Sequence, residues 1–126
     1  MARQGKASFQ LLDARQRQIG ELVLERSEDK LLFGKFIPGR AFAEVQHLFR
    51  EFEEAVNCRA LRKVDELDAT IDALGLHLQS PDGSQRLAIR DVQIWSDGGI
   101  TCRLLGPALV EVNGSLVTTQ TQVPKG

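Results

Sequence analysis

Short apolar runs alternate with turn-like polar clusters through the first third of the chain, the pattern of antiparallel strands joined by short loops. Three strands are predicted. The first covers about Ser8 to Leu12, and the second runs from about Ile19 to Arg26 after the polar cluster Asp13 to Gln18. The third, Leu31 to Ile37, follows the turn Ser27-Glu28-Asp29-Lys30. Alternation puts Phe33 on the same face as Leu31 and Ile37. Pro38-Gly39 ends this strand, because proline offers no N–H to a ladder.

From Phe42 the apolar spacing changes to threes and fours. Phe42, Val45, Phe49, Phe52 and Val56 draw one stripe down a helix, while Glu44, Arg50, Glu51, Glu53 and Glu54 occupy the opposite, solvated face. A second stripe, Val64, Leu67, Ile71 and Leu74, stops at Gly75, where a left-handed cap fits. One unbroken helix over both stripes would be about 50 Å long, wider than a domain of this size. A break is therefore placed near Asn57 to Arg62, where asparagine and a slip in the spacing coincide.

Strand patterns return at Leu76 to Gln79, Gln85 to Trp95 and Ile100 to Leu105. Opposed residues must share a face, so parity tests the loops. A two-residue turn at Asp82-Gly83 opposes Leu78 to Leu87 and Leu76 to Ile89. Parity then changes between Ile89 and Val92, which predicts a β-bulge at Arg90-Asp91. A three-residue loop, Asp97-Gly98-Gly99, opposes Ile94 to Cys102 and Val92 to Leu104. Asn113-Gly114, between two short apolar runs, marks a further hairpin. The order βββ, helical segment, βββ predicts an α+β two-layer fold: an antiparallel sheet with one face covered by a long broken helical segment and the other open.

A length of 126 residues suits one domain covering 1–126, with loose ends at about 1–6 and 120–126. The 16 Lys+Arg against 17 Asp+Glu leave a net charge of -1, and with no Tyr and one Trp the chain lacks both the basic field and the stacking platforms of a nucleic-acid binder. Nucleic acid is not expected as a partner. No apolar run approaches the span of a bilayer, and Met1 to Gln10 has no leader-like core. Cys58 and Cys102 form no CxxC pair, so reduced thiols and a cytoplasmic location are expected.

Parity places His77, Gln79, Gln93, Trp95, Thr101 and Arg103 on the open sheet face. Trp and Arg are enriched at protein interfaces, so Trp95, His77 and Arg103 are the candidate binding surface, with the outer side of the acidic first helix as the alternative. His47, Glu51 and Glu54 share a helix face in H-x-x-x-E-x-x-E, as do Asp65, Glu66, Asp68 and Asp72, but ordinary solvated helix faces carry such residues, and no metal is expected. Arg59 beside Cys58 is the one local feature that favours a reactive thiol, while Cys102 is expected to face the core. The chain has no G-x-S-x-G elbow, no phosphate loop and no G-x-G-x-x-G fingerprint, and no cofactor is expected. The leading expectation is a non-catalytic interaction module that forms a homodimer and engages a protein partner. The alternative is a small-ligand-binding protein or enzyme with a cleft between helices and sheet, using Arg90 and Asp91 at the bulge.

Overall fold

The computed structural model describes residues 7–106 and the backbone of 109–112 and 115–118. The predicted loose ends and the Asn113-Gly114 turn lie outside the described residues. The strands are β1 Ser8–Leu12, β2 Gln18–Glu28, β3 Leu31–Pro38, β4 His77–Gln79, β5 Arg86–Ile94, β6 Gly99–Leu104, β7 Leu109–Val112 and β8 Ser115–Thr118. Two helices, α1 Phe42–Asn57 and α2 Leu61–Asp72, separate β3 from β4. Six strands close into a barrel in the order β1-β2-β3-β6-β5-β4, and β7 and β8 form a separate two-stranded sheet.

Closure corrects the expected α+β two-layer fold and its open antiparallel sheet. β1 pairs with β4 through Leu11 and Leu78, and β3 pairs with β6 through Leu32 and Cys102. The sheet therefore has an inside and an outside, not a helix-covered face and an open one. The long broken helical segment is likewise replaced by two short helices, of 16 and 12 residues. The misreading has a physical source. One apolar face per strand is what parity reveals, and that face is buried equally well by helices or by the opposite wall of a barrel.

The interior is filled by alternate residues, among them Leu11, Leu22, Leu32, Leu78, Ile100 and Leu104. On β3 the inward residues are Leu32, Gly34 and Phe36. Leu31, Phe33 and Ile37 share a face, as parity requires, but it is the outer one: Phe33 lies beneath the Arg26 guanidinium, 4.0 Å from the ring centroid, and Ile37 is 46% exposed. Phe36 owes its inward position to a glycine. A Cβ on Gly20 would fall 2.3 Å from the Phe36 ring and 2.5 Å from the Ile37 carbonyl oxygen, so only a residue without a side chain lets the ring enter the barrel.

Registers place the end of β3, the start of β4, the β1–β2 loop and the β5–β6 turn at one end of the barrel. Helices α1 and α2 span that end. Val45, Phe49, Phe52 and Ala55 of α1 are buried, as are Leu67 and Ile71 of α2. Val56 departs from its stripe and is 40% exposed, Ala55 being buried in its place. The helices part at Cys58 to Ala60, where Arg59 adopts a φ of 58° and Ala60 N–H donates to the Ala55 carbonyl at 2.9 Å. Gly75, with φ 70°, turns the chain from α2 into β4.

The β4–β5 register pairs Leu78 with Leu87 as expected. Its connection is longer than the two-residue turn predicted, because Ser80 N–H donates to the Gln85 carbonyl and leaves Pro81 to Ser84 as the loop. The Asp82 carboxylate holds that loop by accepting from Ser80 Oγ, Ser84 N–H and Ser84 Oγ. The β5–β6 loop has three residues, but they are Ser96-Asp97-Gly98, since the Trp95 N–H donates the closing hydrogen bond to the Gly99 carbonyl at 2.9 Å. Gly98 takes the left-handed position at φ 93°. Ile94 consequently opposes Ile100 and not Cys102, and Leu104 opposes Ile89 and not Val92. Moving the loop by one residue preserves parity, which is why parity did not detect the shift. The bulge lies between Arg90 and Gln93, with Asp91 at φ 56°.

Candidate functional site

A cleft of about 310 Å³ opens between α1 and the barrel wall. Its floor is aromatic. Phe42 and Phe49 lie two helical turns apart on one stripe of α1, and Phe36 reaches them from the end of β3 over Gly20. The Phe36 and Phe42 centroids are 4.8 Å apart, and those of Phe42 and Phe49 are 6.3 Å apart. Trp95, the last residue before the β5–β6 turn, forms the far wall. Its ring meets Phe52 edge-on at 6.2 Å, and its indole N–H points at Thr101 Oγ1, 3.4 Å away.

The rim is polar and comes from the next face of α1: Gln46, Arg50 and Glu53. Glu53 is engaged, since its two carboxylate oxygens accept from the backbone N–H and hydroxyl of Ser96, each at 2.8 Å. That contact fixes the helix against the β5–β6 turn and keeps the cleft walls in place. Arg50 is exposed at the rim and forms no ion pair among the described residues. The cleft thus combines an apolar interior with one uncommitted positive charge at its mouth.

The sequence-predicted site residues are dispersed. Trp95 lines the cleft. Arg103 lies on the outer barrel wall, where Asp91 Oδ2 is 3.6 Å from its Nε and Asp91 Oδ1 is 3.7 Å from Arg90 Nε. These side chains are about half exposed, and such pairs contribute little. His77 turns back on its own chain, Nδ1–H donating to the Gly75 carbonyl at 3.2 Å. Its Nε2 is buried without a hydrogen-bond partner among the described residues. The proposed surface of Trp95, His77 and Arg103 is thus divided among three neighbourhoods. Arg90 and Asp91, assigned to a cleft, do not line this one. The bulge instead lies near α2, where burial, then the carboxylates of Asp72 and Asp91, push the Asp68 carboxyl above its ordinary value against the pull of Arg90.

Cys102 is buried, and that burial pushes its thiol up to about 12, while Cys58 is exposed. His47, Glu51 and Glu54 stand exposed on the outside of α1. Among the described residues no group of three or more His, Cys, Asp or Glu side chains is placed to hold a metal, and no helix is long and apolar enough to cross a membrane.

Two residues were not singled out by sequence. Arg50 belongs by spacing to a solvated face, and only the cleft beside it separates it from its neighbours. Asp13 has the sequence setting of a turn residue, yet it is 3% exposed, the one buried polar or charged residue among those described. Burial raises its carboxyl, but hydrogen bonds from the Arg17 backbone and side chain and from the Arg15 backbone outweigh burial and hold it below its ordinary value. The D-x-x-x-R spacing was the available signal. The fold and the cleft define a six-stranded closed barrel with a helical cap. No family model, curated protein or solved structure matches the chain.

Proposed function

We propose that the protein is a small-ligand-binding module whose cleft takes an amphipathic carboxylate. The apolar body of the ligand rests on Phe36, Phe42 and Phe49 beside the Trp95 ring, and its carboxylate meets Arg50. The observation that carries this reading is Arg50, without an ion-pair partner among the described residues, at the mouth of an aromatic cleft. A volume of about 310 Å³ falls at the lower end of the range for small-molecule sites, which are characteristically apolar with a few placed polar groups. Arginine suits the role, because its fork matches a carboxylate with two parallel hydrogen bonds.

Trp95 is the single tryptophan, so intrinsic fluorescence reports on this cleft alone. Titration with a series of aryl and branched-alkyl carboxylates, each paired with its neutral amide, is expected to give saturable shifts for some acids. Replacing Arg50 by Met should weaken those acids about tenfold or more, the equivalent of about 1.4 kcal/mol, and leave the amides unchanged. The reading fails if no acid saturates, or if acids and amides respond alike and Arg50→Met alters neither.

A further inference from the structure

We propose that two copies of the chain associate about a two-fold axis through the elbow where α1 meets α2. Leu61, the first residue of α2, is 73% exposed, and Val56 in the last turn of α1 is 40% exposed. Cys58 and Ala60 between them are exposed too. The other large exposed apolar side chains among the described residues, Ile37 and Leu105, lie at separate places on the barrel. Among the described residues, the elbow is therefore where apolar exposure concentrates.

Charge selects the occupant. On the α1 side of the elbow stand Glu51 and Glu54, and on the α2 side stand Arg59, Arg62 and Lys63, ahead of two exposed acids in the second turn of α2. None of these five takes part in an ion pair among the described residues. An apolar centre with acid on one flank and base on the other complements its own copy, since a two-fold rotation brings each flank against its opposite. A partner of single charge sign would place like charges together on one side. The start of α2 has no side-chain cap and no acid in its first turn, so the incoming carboxylates also meet a favourable helix dipole. This association does not depend on the ligand cleft, which neither Val56 nor Leu61 lines.

The test is sedimentation velocity of the full chain over a range from low to several hundred micromolar. A concentration-dependent dimer is expected for the native protein, with Leu61→Glu raising its dissociation constant about tenfold or more. Arg62→Glu with Lys63→Glu, and separately Glu51→Lys with Glu54→Lys, should each give monomers, and mixing the two variants should give a heterodimer. All of these positions are exposed, and circular dichroism checks that each variant remains folded. A native chain that stays monomeric throughout overturns the proposal. So does a dimer indifferent to Leu61→Glu, or reversal variants that fail to pair when mixed.

Discussion

Arg17 places both Nε and Nη2 2.9 Å from Asp13 Oδ2, while Asp13 Oδ1 accepts the backbone N–H groups of Arg15 and Arg17, each at 2.9 Å. The same guanidinium reaches Glu44 Oε1 on α1 at 2.6 Å through Nη1. One buried carboxylate thus shapes the β1–β2 loop and, through Arg17, ties it to the first helix. Asp13→Ala leaves those donors without an acceptor and is expected to cost about 2–3 kcal/mol, the scale for losing charge-assisted hydrogen bonds at a buried site. Urea denaturation measures the loss. A change below about 0.5 kcal/mol, typical of an ordinary surface substitution, would contradict it.

The acid side of the stability profile follows from two carboxylates. Asp13 is held below its ordinary value, and Asp82 is lowered to about 2 by hydrogen bonds from the Ser84 hydroxyl, the Ser84 backbone and the Ser80 hydroxyl. For an acid whose folded value is depressed, the unfolded chain binds more protons as pH falls, so its contribution is present above the unfolded value of 3.8 and disappears as pH drops through the folded value. The denaturation midpoint is expected to fall between about pH 4 and pH 2. Asp13→Asn should flatten part of that slope.

Asp68 has the opposite sign. Burial and then its acidic neighbours Asp72 and Asp91 raise its carboxyl, so the ionised form is disfavoured in the fold. Asp68→Asn is expected to raise the midpoint at neutral pH and to leave it unchanged near pH 3, where both forms are largely neutral. An equal shift at both pH values would show that packing, not charge, is responsible.

Gly20→Ala adds a methyl group where the Phe36 ring and the Ile37 carbonyl already sit within 2.5 Å of the new atom. Overpacking of this kind costs about 1–3 kcal/mol. Phe36 also floors the cleft, so any ligand captured there should lose affinity with the same substitution. A stable variant with unchanged binding would mean that the ring is free to move.

The two thiols should separate cleanly. Cys102 is 1% exposed, with its thiol pushed up to about 12 by burial, and the thiolate is the reactive form. A disulfide reagent is expected to label one thiol per native chain, at Cys58, and two after unfolding. Two fast equivalents in the native protein would place Cys102 outside the core.

Local rules were legible wherever the determining residues are neighbours. The bulge at Arg90-Asp91 and the pairing of Leu78 with Leu87 both follow from parity and turn residues within a few positions. The break between stripes near Asn57 follows from helix spacing in the same way. Closure was not legible, because pairing Leu11 with Leu78 or Leu32 with Cys102 is specified by no local turn. Parity cannot tell a barrel wall from an open sheet. Parity alone likewise draws Trp95, His77 and Arg103 onto one open face, whereas the barrel sets them in separate neighbourhoods. The place of Arg50 at the mouth of a cleft depends on Phe36 and Trp95, which the fold, not local sequence, brings beside it.

The closed ring also shapes how the chain reaches its native state. Joining β1 to β4 requires the two helices to lie within the loop that those strands seal, and the loop entropy is lost before the ladder returns any hydrogen bonds. Pairings of high contact order form slowly. The two long-range ladders, at Leu11 and Leu78 and at Leu32 and Cys102, are then expected to zip last during refolding and to be the stretches where amide exchange first reveals opening.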